Sequence, residues 1–391
     1  MRVLIFSPQF EKGAFELLQK DLACSLNKFG VKVYTLNTHK SLVKNNSFNS
    51  SLIQNGVTKV FFIDLATNPN LFQLLVGVFK LRLLLKKEKI DIIETSSESL
   101  SIFTILSCLG TKIYHVVGIH KIYNKKYLKN NYFKELFFLL LTKLRSRIYF
   151  YAVSNFSKKS WVNFSKTNNK KVKVIYNSIK PRENKQDKKQ FKKQFFREFK
   201  IPINTKLILS AGRICFHKRQ DFIIESLSPI LIERNINLLF IGEYDLGTQE
   251  SLETKNRINL LIKKYNLQSK IKFCGFREDI KEIMSIADVF VHSTLTESFG
   301  LVLLEAMSEG LPIVSTNVDA IPEIVSEPDN YLVDINESEA FRNCVLSALN
   351  RNNKYYLEVS KRNKNIAKDK KYSSNQRTKE MFKYFQRILD T

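Results

Sequence analysis

One stretch of this chain, residues 288–323, limits the possible folds more than any other. It reads DVFVHSTLTESFGLVLLEAMSEGLPIVSTNVDAIPE. Residues 288–293 alternate apolar and polar side chains as a short strand does, and residues 312–316 form a second strand-like run. Residues 301–309 between them are strong helix formers, followed by Gly310 and Pro312 where a helix should end. The sequence therefore predicts a strand–helix–strand unit.

The turn between the first predicted strand and the helix contains the candidate site residues. Ser298, Phe299 and Gly300 lie there, so their backbone N–H groups and the helix dipole point at one place and favour an anion. Gly300 has no Cβ, which lets a phosphate or a sugar approach the main chain. Glu297 precedes the turn and Glu305 lies one turn inside the helix. Two carboxylates can therefore flank this pocket and accept hydrogen bonds from sugar hydroxyls.

The spacing of these acids carries a family resemblance. Glu297 and Glu305 enclose seven residues in ESFGLVLLEAM, which is followed by GLPIV and IPEIV. This block resembles the E-x7-E signature of the retaining glycosyltransferases of family 4, which have the GT-B fold. The resemblance implies that Glu305 binds ribose hydroxyls of a nucleotide sugar and that Glu297 faces the donor sugar. It also implies that the amides of Phe299, Gly300 and Leu301 hold the diphosphate and sugar. Two surface glutamates around an amphipathic helix are the plain alternative.

The rest of the chain alternates strand-like and helical segments, which predicts an α/β fold with parallel sheets. Strands are predicted at 3–6, 32–36, 60–63, 90–93, 112–117, 148–153 and 172–175, and then at 206–210, 237–241, 270–274, 289–292 and 312–315. Helices are predicted at 14–29, 71–87 and 132–146 in the first half. With the resemblance, the expected architecture is GT-B: two Rossmann-like doubly wound domains that face each other across a cleft.

The domain boundaries follow from a polar, lysine-rich segment at 177–200 that contains Pro181. It is typical of a link between domains followed by an amphipathic helix. We expect an acceptor-side domain at 1–180 and a nucleotide-sugar-binding domain at 181–371. Residues 372–391 are amphipathic, and the resemblance implies a helix that crosses back to pack on the first domain.

Two residues of the first half are candidates by the same resemblance. Gly13 lies in the loop after the first strand, where the family has a glycine-rich loop near the donor diphosphate or the acceptor. Lys12 stands where a second glycine is common, and Gly13 is alternatively an ordinary loop glycine. His120 follows a strand at the edge where open α/β sheets bind ligands, and the resemblance places it next to the transferred sugar or the acceptor hydroxyl. A structural histidine is the alternative.

Two cations of the second half complete the candidate site. Arg213 and Lys218 in AGRICFHKR resemble the pair with which the family grips the donor diphosphate. Arg offers a forked contact to phosphate and Lys a mobile point charge. Arg219 departs from the family pattern, which usually has glycine there.

Charge is concentrated in the first half. Residues 1–180 hold 29 lysines and arginines against 9 acidic residues, a net charge of +20, out of +26 for the whole chain of 391 residues. This bias predicts an anionic partner, either an acidic membrane surface or a nucleic acid, with a solvated lysine-rich face as the alternative. The segments 71–87 and 132–147 combine apolar faces with basic residues, which suits packing on the sheet, contact with a membrane interface, or both.

Other classes are less well supported. The five cysteines are scattered, without a C-x-x-C pair, so they predict neither a disulfide framework nor a zinc site. The sequence contains no uninterrupted run of about 18 apolar residues, which a membrane-spanning helix would need. A nucleic-acid-binding protein would need a recognisable module, and the sequence has none.

The resulting expectation is a retaining glycosyltransferase that uses a nucleotide-diphosphate sugar as donor, with no metal or other cofactor, since no Asp-x-Asp motif occurs. The expected acceptor is a lipid-linked saccharide of bacterial surface polysaccharide biosynthesis, such as O-antigen, capsule or exopolysaccharide. We expect the protein in the cytoplasm, peripheral on the inner face of the cell membrane. The alternatives are a transferase with a soluble acceptor, a GT-B-type sugar-nucleotide epimerase and a nucleic-acid-binding protein.

Overall fold

The computed structural model describes residues 1–8, 13–38, 46–64, 70–123, 132–180, 187–245, 247–325, 330–350 and 352–391. These form two compact units. Unit 1 consists of Met1–Ser178 and Lys370–Thr391, and unit 2 of Ile179–Asp369. The divisions therefore lie two residues before those that the sequence suggests.

Unit 1 is built on a sheet of seven parallel strands in the order β3-β2-β1-β4-β5-β6-β7. The strands are β1 (Arg2–Phe6), β2 (Lys32–Asn37), β3 (Val57–Phe62), β4 (Ile92–Thr95), β5 (Tyr114–Ile119), β6 (Ile148–Ala152) and β7 (Val172–Val174). The strand order reverses direction between β1 and β4. Ligands of open α/β sheets bind beyond the carboxyl ends of the strands at such a switch point.

Helices cover both faces of this sheet. They are α1 (Ala14–Leu26), α2 (Asn46–Gln54), α3 (Leu71–Lys87), α4 (Glu98–Cys108), α5 (Tyr132–Lys143) and α6 (Asn155–Ser165). Local sequence explains several starts: Asn70 with Gln73 and Ser154 with Ser157 form capping boxes that satisfy the first N–H groups of α3 and α6. Buried apolar residues of α3, α4 and α5 pack against the sheet.

The last helix of the chain, α14 (Ser374–Leu389), belongs to unit 1. It begins at Ser373, whose hydroxyl caps the Gln376 N–H. It packs beside α1, where the buried Arg377 donates to the Leu18 carbonyl at 2.9 Å. At its other end, the Tyr384 hydroxyl donates to the Phe150 carbonyl of β6 at 2.8 Å. These contacts seat the helix on the sheet of unit 1.

Unit 2 has a second parallel sheet, in the order β10-β9-β8-β11-β12-β13. Its strands are β8 (Lys206–Ala211), β9 (Ile236–Ile241), β10 (Ile271–Phe273), β11 (Val289–His292), β12 (Ile313–Thr316) and β13 (Tyr331–Val333). The switch point lies between β8 and β11. The helices are α7 (Lys188–Glu198), α8 (Gln220–Glu233), α9 (Gln249–Lys264), α10 (Ile280–Ile286), α11 (Leu301–Ser308), α12 (Ser338–Leu349) and α13 (Asn353–Ala367).

The sheet differs from the prediction at particular strands. The strands predicted at 90–93 and 112–117 each lie two residues too early in the sequence. β4 continues through the polar Glu94 and Thr95, and β5 continues through Gly118 and Ile119. The ends of β4 and β5 are set by their pairing register with the neighbouring strands, β1 for β4 and β6 for β5. The hydropathy of the sequence does not reveal this register. The predicted helix 132–146 ends at Lys143, and the helix 14–29 ends at Leu26 and continues as a short 3-10 turn.

Among the described residues, no helix combines the length and the apolar character needed to cross a membrane.

Candidate functional site

The candidate site of unit 2 is built where β8 and β11 end side by side. The loop after β8 and the loop after β11 are tied together by hydrogen bonds. The Ser293 hydroxyl donates to the Lys218 carbonyl at 2.8 Å, and the Thr294 hydroxyl donates to the His217 carbonyl at 3.1 Å. The Leu295 N–H also donates to the His217 carbonyl, at 2.8 Å. This places the predicted residues Lys218 and Glu297 together at the switch point of the sheet.

Lys218 and Glu297 form an ion pair. The Nζ atom of Lys218 lies 2.7 Å from Oε2 of Glu297. Nε2 of His292, at the end of β11, lies 3.4 Å from the same oxygen. Burial alone would raise the pKa of Glu297, but the Lys218 charge and the His292 contact outweigh it and lower that pKa below its ordinary value. Burial, followed by the Lys218 charge, lowers the pKa of His292. The site therefore holds an anionic Glu297 beside a cationic Lys218 and a neutral His292.

A third acid fixes the backbone of Glu297. Oδ2 of Asp319, in the loop after β12, accepts the Thr296 hydroxyl at 2.5 Å and the Glu297 N–H at 3.0 Å. The Glu297 carbonyl in turn accepts the Ala320 N–H at 3.2 Å. The loops after β11 and β12 therefore set the position of Glu297 together.

The turn that follows is shaped by Gly300. This residue adopts φ 92°, a left-handed conformation that favours glycine, and it caps the N-terminus of α11. An added Cβ would also lie 3.0 Å from Cδ1 of Leu303. Within the part of the chain that the structure describes, the N–H groups of Gly300 and Leu301 have no protein acceptor. The start of α11 therefore offers N–H donors beside the Lys218–Glu297 pair.

Glu305 lies on α11, one turn beyond this start. Its side chain is half-buried, and burial raises its pKa to about 7 despite the nearby Lys281 charge. No described residue donates a hydrogen bond to its carboxylate. Glu305 is thus an acid that is close to half-ionised at neutral pH, with its acceptor oxygens unused by the protein.

The side chain of Arg213 points away from the Lys218–Glu297 pair. Its guanidinium pairs with Asp245 in the loop after β9, at 2.9 Å, and its side chain is 77% exposed. It does not contact the Lys218–Glu297 pair. Arg219, at the position where the family usually has glycine, adopts φ 51° and stays within 3.6 Å of Asp221. The left-handed backbone explains why glycine suits this position.

In unit 1, the two candidates lie on different loops. Gly13 caps the start of α1 with φ 98°, while Lys12 and the rest of 9–12 lie outside the described residues. His120 directly follows β5, and its Nε2 atom lies 3.2 Å from the Tyr151 hydroxyl. Burial, with a contribution from the Arg377 charge, lowers the pKa of His120 to about 3. His120 is therefore a neutral imidazole at physiological pH.

Within unit 2, the structure brings together six of the predicted site residues: Lys218, Glu297, Ser298, Phe299, Gly300 and Leu301. A seventh, Glu305, lies on α11, the helix that begins at Leu301. Sequence reasoning missed His292 and Asp319. The polar run HSTLTE that ends an otherwise apolar strand was the available signal for His292. Asp319 lies 22 residues beyond Glu297, and only the parallel pairing of β11 with β12 brings the two together.

Two family models match the chain. The model described as glycosyl transferases group 1 matches residues 191–369, and the model described as glycosyltransferase family 4 matches residues 20–183. The first match lies within unit 2, and the second lies almost entirely within unit 1.

Individual relatives are distant. An uncharacterized glycosyltransferase of Methanocaldococcus jannaschii, MJ1607, is 30% identical over 163 residues, which is 41% of this chain and 40% of the relative. The UDP-Gal:alpha-D-GlcNAc-diphosphoundecaprenol alpha-1,3-galactosyltransferase of Escherichia coli is 26% identical over 305 residues, 74% of either chain. An N-acetyl-alpha-D-glucosaminyl L-malate synthase of Bacillus anthracis is 27% identical over 172 residues. With the first and third of these relatives, the match spans about two fifths of the relative's length.

Solved structures resemble the whole chain. A glycosyltransferase from Rickettsia africae ESF-5 matches with a TM-score of 0.81 at 21% identity, over 99% of this chain and 98% of that one. Alr3699/HepE of Anabaena, solved in complex with UDP-glucose, matches with a TM-score of 0.80 at 19% identity, over 98% and 100% of the two chains. At these identities the likeness shows the fold, and it confirms the predicted GT-B architecture of two Rossmann-like units.

Proposed function

Because the chain belongs to the family 4 glycosyltransferases, we propose that it transfers a sugar from a nucleotide-diphosphate sugar to an acceptor hydroxyl, with retention at the anomeric carbon. The observation that carries this proposal is the arrangement in unit 2. A cation, Lys218, and the amide-rich start of α11 flank an anionic Glu297 at the switch point of the sheet. Sites of this kind bind phosphate at a helix N-terminus and orient what is attached to it.

In the proposed donor complex, the diphosphate lies against Lys218, Arg213 and the amides of the 298–301 turn. Lys218 then exchanges part of its contact with Glu297 for the diphosphate, while Arg213 turns from Asp245 towards the same group. Both side chains have the freedom to do so, since Arg213 is exposed and Lys218 is only partly buried. Glu305 accepts hydrogen bonds from the ribose hydroxyls with the carboxylate oxygens that no described residue uses.

The reaction we propose needs charge stabilisation more than it needs a nucleophile. As the bond between the anomeric carbon and the diphosphate oxygen breaks, negative charge grows on the diphosphate. Lys218, Arg213 and the α11 amides are placed to stabilise that charge. The acceptor oxygen bonds to the anomeric carbon from the face that the diphosphate leaves, and the acceptor proton passes to the departing phosphate. Glu297, held anionic by Lys218, faces the donor sugar.

This charge arrangement makes a metal ion unnecessary in the proposal. Two cationic side chains and a helix N-terminus supply the positive potential that a divalent cation supplies in other transferases. We therefore propose a metal-independent reaction.

For the acceptor we propose a lipid-linked saccharide, with unit 1 as the acceptor-side unit. The charge of +20 in residues 1–180 suits a diphosphate linker or an anionic lipid surface. The E. coli relative that aligns over 74% of the chain is named for the acceptor GlcNAc-diphosphoundecaprenol. Other relatives are named for O-antigen and lipopolysaccharide core biosynthesis. Bacterial surface polysaccharide biosynthesis is the setting we propose.

We further propose that unit 1 rests on the inner face of the cell membrane through α3 and α5. One side of each helix packs into the core, with Leu81 and Leu85 on α3 and Phe138 and Leu141 on α5. The opposite side of each exposes large apolar residues at helical spacing: Phe72, Leu75, Val76, Phe79 and Leu83 on α3, and Leu136, Phe137 and Leu140 on α5, with the exposed Leu144 directly after it. Exposed lysines accompany them. Apolar residues with flanking cations are typical of helices that lie in an anionic membrane interface.

The donor is tested by thermal stabilisation with a panel of nucleotide sugars that varies base and sugar, starting with the UDP-sugars. We expect one base to stabilise the chain, and the same donor to give a product with retained anomeric configuration by NMR. Stabilisation by no member of the panel, together with no transfer, would refute the proposed function. Binding of nucleic acid that nucleotide sugars do not compete for would favour the nucleic-acid alternative instead.

A further inference from the structure

A chain of buried polar side chains runs through unit 1 and ends at His120. Glu94 lies on β4 and Tyr151 on β6, both fully buried. The register of the strands puts Glu94 level with Val116 of β5, and Tyr151 level with Gly118 of β5. In parallel strands this alternation directs both side chains to the same face of the sheet as His120. A carboxylate, a phenol and an imidazole therefore lie in line from the sheet interior to its carboxyl edge.

The hydrogen bonds that link Glu94, Tyr151 and His120 have a defined donor and acceptor at each step. Oε1 of Glu94 accepts the Tyr151 hydroxyl at 2.8 Å, the Ser96 hydroxyl at 2.5 Å and the Gln19 amide at 3.2 Å. Since Tyr151 has one proton and gives it to Glu94, only its oxygen is left for His120. The Nε2 atom of His120, 3.2 Å away, must then be the donor. A neutral imidazole with Nε2–H carries its lone pair on Nδ1.

A missing Cβ makes room for this contact. A side chain at Gly118 would place its Cβ 2.6 Å from the Tyr151 hydroxyl oxygen and 2.7 Å from Nε2 of His120. Both distances are shorter than real contacts allow, and the backbone of Gly118 is not in a left-handed conformation, so the need for glycine is steric. The His120 ring is also held from its other side by Phe15, whose ring centre lies 4.5 Å away.

We propose that Tyr151 and Glu94 are positioning residues that fix His120 as its Nε2–H tautomer and present the Nδ1 lone pair to a hydroxyl of the acceptor or the transferred sugar. This inference rests on the proposed function for the identity of the hydroxyl, but not for the tautomer. His120 would touch the substrate, whereas Tyr151 and Glu94 act only through it.

The charges around the cluster agree with this role. Burial, opposed by hydrogen bonds to Ser96, Tyr151 and Gln19, raises the pKa of Glu94, and burial with the Glu94 charge raises that of Tyr151. The charged group that faces them from α14 is Arg377, whose charge, after burial, lowers the pKa of His120. His120 therefore stays neutral across the physiological range, so it serves as a hydrogen-bond acceptor through Nδ1 and not as an acid.

The cost of burying Glu94 supports a functional origin. A buried carboxyl group is expensive unless it is fully satisfied, and Oε2 of Glu94 has no hydrogen-bond partner in the described residues. Glu94 accepts hydrogen bonds from Tyr151, Ser96 and Gln19, and it faces the buried Arg377 charge. The bond from Tyr151 orients the phenol for its contact with His120.

The tautomer is tested by long-range proton–nitrogen NMR on the whole chain labelled with ¹⁵N-histidine, with the His120 signals assigned by His120→Gln. We expect an Nε2–H tautomer from pH 6 to 9 in the wild type. Tyr151→Phe and Gly118→Ala should each convert this signal to a mixture of tautomers. Tyr149→Phe is the matched control on the same strand, because its hydroxyl bonds to Thr391 at 3.0 Å. It should leave the spectrum unchanged.

Kinetics add a readout that a packing role would not give. With the donor found for the wild type, we expect Tyr151→Phe to lower kcat about tenfold, the size of one hydrogen bond, with the donor KM unchanged. An Nδ1–H or charged His120 in the wild type, or an unchanged tautomer in Tyr151→Phe, would overturn the inference even if transfer is observed. If a variant does not fold, the wild-type tautomer still decides. A chain without transfer activity but with the expected tautomer would refute the proposed function and leave the positioning intact.

Discussion

The Lys218–Glu297 ion pair gives the sharpest quantitative prediction, because both partners are only partly exposed. The side chain of Lys218 is 25% exposed and that of Glu297 15%, and the two atoms are 2.7 Å apart. The perturbation is a double-mutant cycle with Lys218→Met and Glu297→Gln. Each substitution keeps the approximate length of the side chain and removes its charge.

The expected magnitude lies between two measured regimes. Exposed ion pairs contribute about 0–1 kcal/mol, whereas removing one partner of a fully buried pair costs about 3–5 kcal/mol. Lys218→Met leaves the Glu297 carboxylate with two longer contacts, to Nε2 of His292 at 3.4 Å and to the Phe299 N–H at 3.4 Å. We therefore expect each single variant to lose about 1–3 kcal/mol, with a coupling free energy of about 2 kcal/mol between the two sites.

The assay is urea unfolding of the four proteins at pH 7 and moderate ionic strength, with the free energy of unfolding extrapolated to water. The pair Arg257 and Glu225 is the matched control in the same unit. Its atoms lie 2.9 Å apart, but its side chains are 55% and 43% exposed. The cycle of Arg257→Met and Glu225→Gln should therefore be additive within about 0.5 kcal/mol. An equally additive Lys218–Glu297 cycle would refute the view that these loops hold a desolvated pair.

The same four proteins separate the two proposed roles in donor use. Lys218→Met should weaken donor binding about 10- to 100-fold, since a charge-assisted bond to the diphosphate is lost. Glu297→Gln should change the donor Kd less and kcat more, because it faces the sugar. If both variants bind donor as the wild type does, the assignment of the diphosphate to this pair is wrong.

Three further predictions concern other parts of the account. Because the pKa of Glu305 is raised to about 7, its carboxylate forms as pH rises from 6 to 8. Donor affinity should then increase about tenfold over that interval, measured by calorimetry, and Glu305→Gln should abolish the increase. Gly300→Ala forces alanine into φ 92° and should cost about 1–2 kcal/mol of stability as well as donor affinity; an unchanged Tm would contradict the strain. Leu75→Ser with Phe79→Ser should weaken binding to vesicles of anionic lipid, while Leu260→Ser, an exposed leucine of unit 2, should not; no binding by the wild type would favour a soluble acceptor.

Much of the fold follows from sequence periodicity. The alternation of buried β-branched runs with amphipathic helices predicts both parallel sheets, and the block from Asp288 to Glu323 predicts β11, α11 and β12 in place. The strand β13 (Tyr331–Val333) was missed because three residues carry too little periodicity. The predicted end of β4 is wrong because a buried Glu94 looks, by hydropathy, like the end of a strand. The predicted end of β5 is wrong because Gly118, a poor strand former, lies inside that strand.

The candidate site divides in the same way. Lys218, Glu297 and the Gly300 turn are read from local motifs, which keep their meaning because each lies next to the end of a strand. His292, Asp319 and the chain from Glu94 to Tyr151 to His120 depend on which strands are neighbours. That order is set by packing between segments far apart in the sequence, and no local pattern encodes it. The Tyr151–Glu94 bond joins residues 57 positions apart, and the pairing of β1 with β4 joins Val3 to Ile92.

We propose that donor binding by unit 2 depends on Lys218 and Glu305. Calorimetric titration of the whole chain with the nucleotide-diphosphate sugar selected by thermal stabilisation tests it most directly, on the wild type, Lys218→Met, Glu305→Gln and the control Glu233→Gln at the end of α8. We expect one donor site per chain, with an affinity at least tenfold weaker in the first two variants and unchanged in the control. Equal affinities in all four proteins would contradict it.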